Sequence, residues 1–222
     1  WGRLTNSLSA DAGCPSVSVL PCKNPMKRRR MSCAGPMKHC TLRKSPEKIV
    51  RPGHRLEGLP ALTAPDCRVL VLGSFPGAAS LAAQQYYGHP QNHFWRILME
   101  IFPVPAGLVS SSSYQIKSEW LLEQGVALWD VYAACEREGS LDSNIRHAQR
   151  NDLAGLLTQC PQLQAIVHNG AESYKHHKLT QALGLPVHKL PSTSPANAAV
   201  PYVRKRDEWR AVLGQYLKLR TH

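Results

Sequence analysis

The chain has 222 residues, 43% of them hydrophobic, and carries a formal net charge of +12. This length supports one sizeable core with room for a tail. No apolar run approaches the roughly 20 residues that span a bilayer, so no membrane role is expected. The pI near 9.6 suits a polyanionic partner, without separating nucleic acid from a merely basic surface.

The charge is uneven. Residues 1–60 hold 12 Lys/Arg against 3 Asp/Glu, whereas residues 61–222 hold 15 against 12. Residues 1–62 are rich in Pro, Ser, Cys and Arg, lack a sustained period, and read as a disordered basic tail. The cluster Lys27-Arg28-Arg29-Arg30 reads as a nuclear address, a phosphate-binding arm or a solvated charge run. The seven cysteines are Cys14, Cys22, Cys33, Cys40, Cys67, Cys135 and Cys160, and no pair has CxxC or other zinc spacing. No metal is expected. Cys67 and Cys160 border core elements and read as buried thiols, which fits a reducing intracellular setting. That setting is the nucleus if the source is eukaryotic and the cytoplasm otherwise.

From residue 63 onward the pattern is regular. Arg68–Leu72 is apolar and β-branched, a buried strand halted by Gly73-Ser74-Phe75-Pro76-Gly77. The segment Tyr86-Tyr87-Gly88-His89-Pro90 is a loop, and Trp95, Leu98, Met99 and Phe102 share one face of a helix over Phe94–Phe102. A helix over Lys117–Gln124 precedes a strand over Val126–Trp129 that closes on Asp130. Asp152–Gln159 is helical with Asn151 as its N-cap, and Gln164–Val167 is a third strand stopped by Asn169-Gly170. Ala171–Leu183 suits a helix, Leu185–Leu190 contains a fourth strand, and Arg204–Leu219 forms the last helix. Short strands alternating with helices imply an α/β protein with a mainly parallel four-stranded sheet covered on both faces. Right-handed crossovers would gather the strand ends, with their hydroxyls, amides and one carboxylate, at one rim.

Three segments carry a family resemblance: Gly73–Trp95, Leu128–Asp130 with Gly139-Ser-Leu-Asp142 and Ile145-Arg146, and Leu190–Ala199. Together they resemble the uracil-DNA glycosylase superfamily, closest to its hypoxanthine-DNA (deoxyinosine) branch, over Val69 to Leu219. The resemblance implies a three-layer α/β/α sandwich. It also implies an enzyme that everts a damaged nucleotide from double-stranded DNA and hydrolyses its N-glycosidic bond, as a monomer without metal or cofactor. Gly73, Ser74 and Phe75 would line the base pocket with Tyr87, Asp130 and Asn169. Phe75 stands where mismatch-specific relatives place a water-positioning Asn, and a phenyl ring cannot orient water. Asn92, in His89-Pro-Gln-Asn92-His-Phe-Trp95, resembles the hypoxanthine branch and takes the catalytic role; it could equally cap the following helix.

Ser192, Thr193, Ser194 and Pro195 would form the loop that bonds phosphates and enters the minor groove. Leu190 stands where uracil-specific relatives carry a His that bonds the departing pyrimidine. Asp130, in place of an Asn that reads the pyrimidine edge, could accept from the N1–H of hypoxanthine or bond its own turn. Asn169 either contacts the base or satisfies backbone, and Asp142 with Arg146 reads as a structural pair. No Lys falls where an amine nucleophile would sit, so no strand cleavage through a Schiff base is expected. The rival readings are a uracil or broad-specificity deaminated-base glycosylase of the same fold, and a catalytically silent lesion-binding module.

Overall fold

A computed structural model describes residues 55–109 and 111–220. The Lys27–Arg30 cluster and the first four cysteines lie outside them. The described residues already form paired strands ahead of residue 63, where the regular part of the chain was expected to start. The strand β1 (Arg55–Glu57) is already paired, and Leu62 bridges Leu128 through two 2.9 Å backbone hydrogen bonds.

The next elements are β2 (Val69–Gly73), α1 (Ala78–Ala83), α2 (Phe94–Ile101), α3 (Tyr114–Glu123), β3 (Val126–Asp130), β4 (Tyr132–Glu136) and β5 (Arg146–Arg150). After them come α4 (Leu153–Gln159), β6 (Ala165–Asn169), α5 (Ala171–Tyr174), α6 (His177–Gln181), β7 (Val187–Leu190) and α7 (Tyr202–Leu213). The main sheet has the order β3-β2-β6-β7 and is parallel throughout. A second sheet, β1-β4-β5, is antiparallel.

Period-two alternation gives the main sheet two apolar faces. Val69, Val71, Val126, Leu128 and Val167 pack beneath α2, α3 and α7, with Phe94, Trp95 and Trp209 filling the layer. Leu70, Leu72, Ala127 and Ile166 face Leu153 and Leu156 of α4 on the other side. Three layers result, as the resemblance implied. Fully burying one such side chain is worth about 1.5–3 kcal/mol, so this layering holds the rim rigid.

Local details depart from expectation where side chains intervene. Helix α4 is capped by Asp152, whose carboxylate accepts from Gly155 N at 2.9 Å, and not by Asn151. Asn151 instead donates to the Asp130 carbonyl at 2.9 Å and so holds the end of β3. The helix expected over Ala171–Leu183 breaks into α5 and α6, where the His177 ring donates to the Tyr174 carbonyl. Helix α7 ends at Leu213 rather than Leu219, with Gly214 at its C-cap.

Chain order places β3 on one side of β2, then returns to set β6 on the other. The direction of winding therefore reverses between β2 and β6. In open parallel sheets, ligands bind outside the strand carboxyl ends at such a switch point. Here those ends are Gly73 and Asn169.

Candidate active site

A cavity of about 290 Å³ opens at this switch point. Its lining includes every pocket residue singled out from the sequence. The first loop supplies Gly73, Ser74 and Phe75; the loop before α2 supplies Tyr87 and Asn92; Asp130 and Asn169 come from strand ends. Ser192, Thr193, Ser194 and Pro195 close the far side. Ser140, Leu141 and Asp142 also line it, from the loop before β5, whose Gly139-Ser-Leu-Asp142 motif the sequence offered without a pocket role.

Hydrogen bonds tie these loops together. Ser74 Oγ donates to Asp142 Oδ1 at 2.8 Å, and Ala78 N donates to Ser140 Oγ at 2.9 Å, which satisfies the first turn of α1. Arg146 does not pair with Asp142 as expected; its guanidinium donates to the Ser143 and Ile145 carbonyls. The carboxylate belongs to the pocket wall instead. Arg137 lies over the Phe75 ring and donates to the Pro76 carbonyl, fixing the first loop from behind.

On the opposite side, Asn169 is a clamp. Its Nδ2 donates to Thr193 Oγ1 and its Oδ1 accepts from Thr193 N, both at 2.9 Å. Thr193 is fully buried, so its hydroxyl anchors the loop rather than meeting phosphate. Ser192 and Ser194 remain half-buried at the surface. Gly170, at φ 107, lets this loop close: a Cβ there would stand 2.9 Å from Ser192 Cβ. Lys205, 1% exposed, donates to the Asn197 carbonyl at 2.7 Å, and the Trp209 indole donates to that of Pro191.

Asn92 precedes His93, the N-cap of α2, and its Oδ1 accepts from Phe94 N at 3.0 Å, so it serves the first N–H of the helix from one position outside the cap. That bond takes one lone pair and leaves the second lone pair and the two Nδ2 protons for a water or a base. His93 N donates to the Thr193 carbonyl at 3.0 Å, which joins the Asn92 turn to the 190s loop. Of the paired tyrosines, Tyr86 is core: its hydroxyl donates to the Leu59 and Pro60 carbonyls. Tyr87 faces the cavity, its ring stacked on Phe94 at 3.9 Å.

Asp130 is 4% exposed and lies against Gly73. Burial, with Asp142 nearby, pushes its carboxyl up to about 7, against the pull of Arg137. His168, by contrast, is structural. It is bonded to Ser173 and Thr180 beneath the sheet, and burial drives it down to about 4.

A second, more open cavity of about 780 Å³ shares Tyr87, His89, Asn92 and Pro195 with the first. It is bordered by Arg96, Lys117 and Lys205.

A partly open slot with aromatic, amide and carboxyl walls, at the switch point of a parallel sheet and beside a groove bordered by Arg96, Lys117 and Lys205, has the shape and chemistry to hold one flat polar ring. The sequence profile of the Uracil DNA glycosylase superfamily matches residues 60–218. A protein of Methanosarcina acetivorans called hypoxanthine DNA glycosylase is 36% identical over 155 residues, 70% of this chain and 96% of its own. Its namesake in Methanosarcina barkeri is 36% identical over 141 residues, 64% of this chain and 87% of its own. The solution NMR structure of a protein from M. acetivorans, provisionally described as a uracil DNA glycosylase, superposes with a TM-score of 0.64 at 34% identity. That match covers 73% of this chain and 98% of that one. The chain belongs to the uracil DNA glycosylase superfamily.

Proposed function

We propose that this protein is a monofunctional DNA glycosylase that everts a deaminated base, hypoxanthine foremost, from duplex DNA and releases it with water. The observation that carries this is the meeting of Phe75, Asn92, Asp130 and Ser192 around one cavity, in a chain 36% identical to two proteins called hypoxanthine DNA glycosylase. Phe75 and Tyr87 supply flat walls for the base, and Asn92, fixed by its bond to α2, holds water or base beside the sugar. Ser192 and Ser194 meet the flanking phosphates while Pro195 enters the minor groove. Mispaired bases are the least costly to extrude, which favours deaminated lesions.

Purified protein incubated with duplexes carrying inosine, uracil or xanthine should release hypoxanthine fastest. Asn92→Ala should slow that release by about 10²–10⁴-fold while binding the lesion duplex within a few-fold of wild type. Uracil release with inert inosine would reverse the choice of base. No release from any duplex would favour a silent lesion-binding module, and an active Asn92→Ala would remove the catalytic assignment.

A further inference from the structure

Three unfavourable features meet at one spot in the slot. The first is Asp130, buried with its Oδ2 lacking any hydrogen-bond partner. The second is the Tyr87 hydroxyl, also buried. Asn169 lies within reach as a donor to its oxygen, and no acceptor among the described residues takes its phenolic proton. The third is the Tyr87 backbone, at φ 54 in the left-handed region that a bulky residue avoids. The two polar groups are close: a Cβ on Gly73 would lie 2.2 Å from Asp130 Oδ1 and 3.7 Å from the Tyr87 hydroxyl. Orphaned buried polar atoms are rare, and backbone strain of this kind collects at functional sites. A ligand with a complementary polar edge would satisfy both.

We propose that Asp130, holding its proton, and Tyr87 form a donor pair that grips the carbonyl oxygen of the everted base and stabilises the negative charge gathering there as the glycosidic bond breaks. This rests on the glycosylase reading above. In that hydrolysis the C1′–N bond breaks with its electron pair passing to the base. Water forms the new C1′–O bond, and one water proton ends on the released base. Asp130 and Tyr87 keep their own protons and act as fixed dipoles in a dry site, where such donors are most effective. A tyrosine beside an uncharged aspartic acid is an established oxyanion hole in proton-transfer enzymes.

The surroundings support the uncharged form. Tyr86 and Tyr87 face Asp130 from the loop before α2, Asp142 from the loop before β5, and Arg137 from the end of β4. His89 and the Asn169 amide line the same cavity. Burial and Asp142 outweigh Arg137, raising the carboxyl to about 7, and a bound base would exclude more water and raise it further. Burial likewise keeps the Tyr87 phenol protonated. The sequence reading of Asp130 as an acceptor is thereby reversed. Hypoxanthine, uracil and xanthine all offer a carbonyl oxygen to two donors, whereas the amino group of adenine or cytosine at that point cannot accept. The pair also supplies leaving-group stabilisation where Leu190 replaces the histidine of uracil-specific relatives.

The test is single-turnover and steady-state release of hypoxanthine by the full chain across pH. Wild type should lose kcat/KM as pH rises through about 7. Asp130→Asn, whose amide donates but does not titrate, should retain a measurable rate and lose that fall. Tyr87→Phe should slow release by about 10²-fold while binding an uncleavable abasic-site duplex as wild type does. A wild-type rate that climbs through the same pH, or Tyr87→Phe matching wild type, overturns the pair alone. An inert wild type overturns the glycosylase reading and the pair with it. Tyr87→Phe removes a single oxygen, so the pair remains testable even if Asp130→Asn fails to fold.

Discussion

The two cavities that meet at Tyr87, His89, Asn92 and Pro195 share a wall and differ in chemistry. Among the described residues the smaller is bordered by Asp130 and Asp142 and by no Arg or Lys. The larger is bordered, among the same residues, by Arg96, Lys117 and Lys205 and by no carboxylate. A base is uncharged and its phosphates are not, so one substrate needs both environments side by side. Asn92 stands on the divide, where the sugar joining base to phosphate would pass.

The sharpest way to break this contrast is to fill the slot. Gly73→Ala would set a Cβ against Asp130 Oδ1, which must swing away. Displacing a functional group by about 1 Å can cost 10²-fold, so release should fall by about that factor while the salt dependence of DNA binding stays unchanged. Equal losses in both would mean the cavities are not separate in function.

A smaller effect is expected in stability. The folded state holds the Asp130 proton to about 7, whereas an unfolded Asp releases it near its ordinary value of about 3.9. Between those values the native state binds more protons than the unfolded one, so stability falls as pH rises and levels off above about 7. Asp130→Asn should therefore stabilise the protein by at most a few kcal/mol at about pH 8, read as a higher melting temperature, and leave it nearly unchanged at about pH 4. Equal shifts at both pH values would show that the carboxyl is not held neutral by burial.

The smallest effect belongs to the groove. Arg96, salt-bridged to Glu100 and lying 4.1 Å over the Tyr202 ring, is aligned along its wall. If the groove carries phosphates, Arg96→Ala should weaken DNA binding for every sequence alike and reduce the salt slope by about 1. Base preference should not change. A changed preference with an unchanged slope would move Arg96 from backbone contact to base recognition.

Much of the fold was legible in the chain. The strands β2, β3 and β6 are short apolar runs cut off by Gly or Asp, and such runs have few alternatives to a buried parallel sheet. The antiparallel sheet was not legible. Strand β5 reads Arg-His-Ala-Gln-Arg, exposed throughout, and β1 has three residues, so neither carries an alternating signal. The same limit applied to the site. Loop motifs pointed to Phe75, Asn92, the 190s loop and Gly139–Asp142, but the bonds that Ser140 and Asp142 make to the first loop arise only because β4 and β5 fold their connection back over it.

Composition and periodicity along the chain determined the parallel sheet, its two apolar faces, and which turns would gather at the strand ends. Those are local preferences, set by neighbours a few positions away. The raised carboxyl of Asp130, the burial of the Tyr87 hydroxyl beside it, and the division of Asn169 and Thr193 into clamp and anchor were decided by the tertiary structure alone. Charge state and hydrogen-bond satisfaction depend on how much water is excluded and on which distant groups do the excluding.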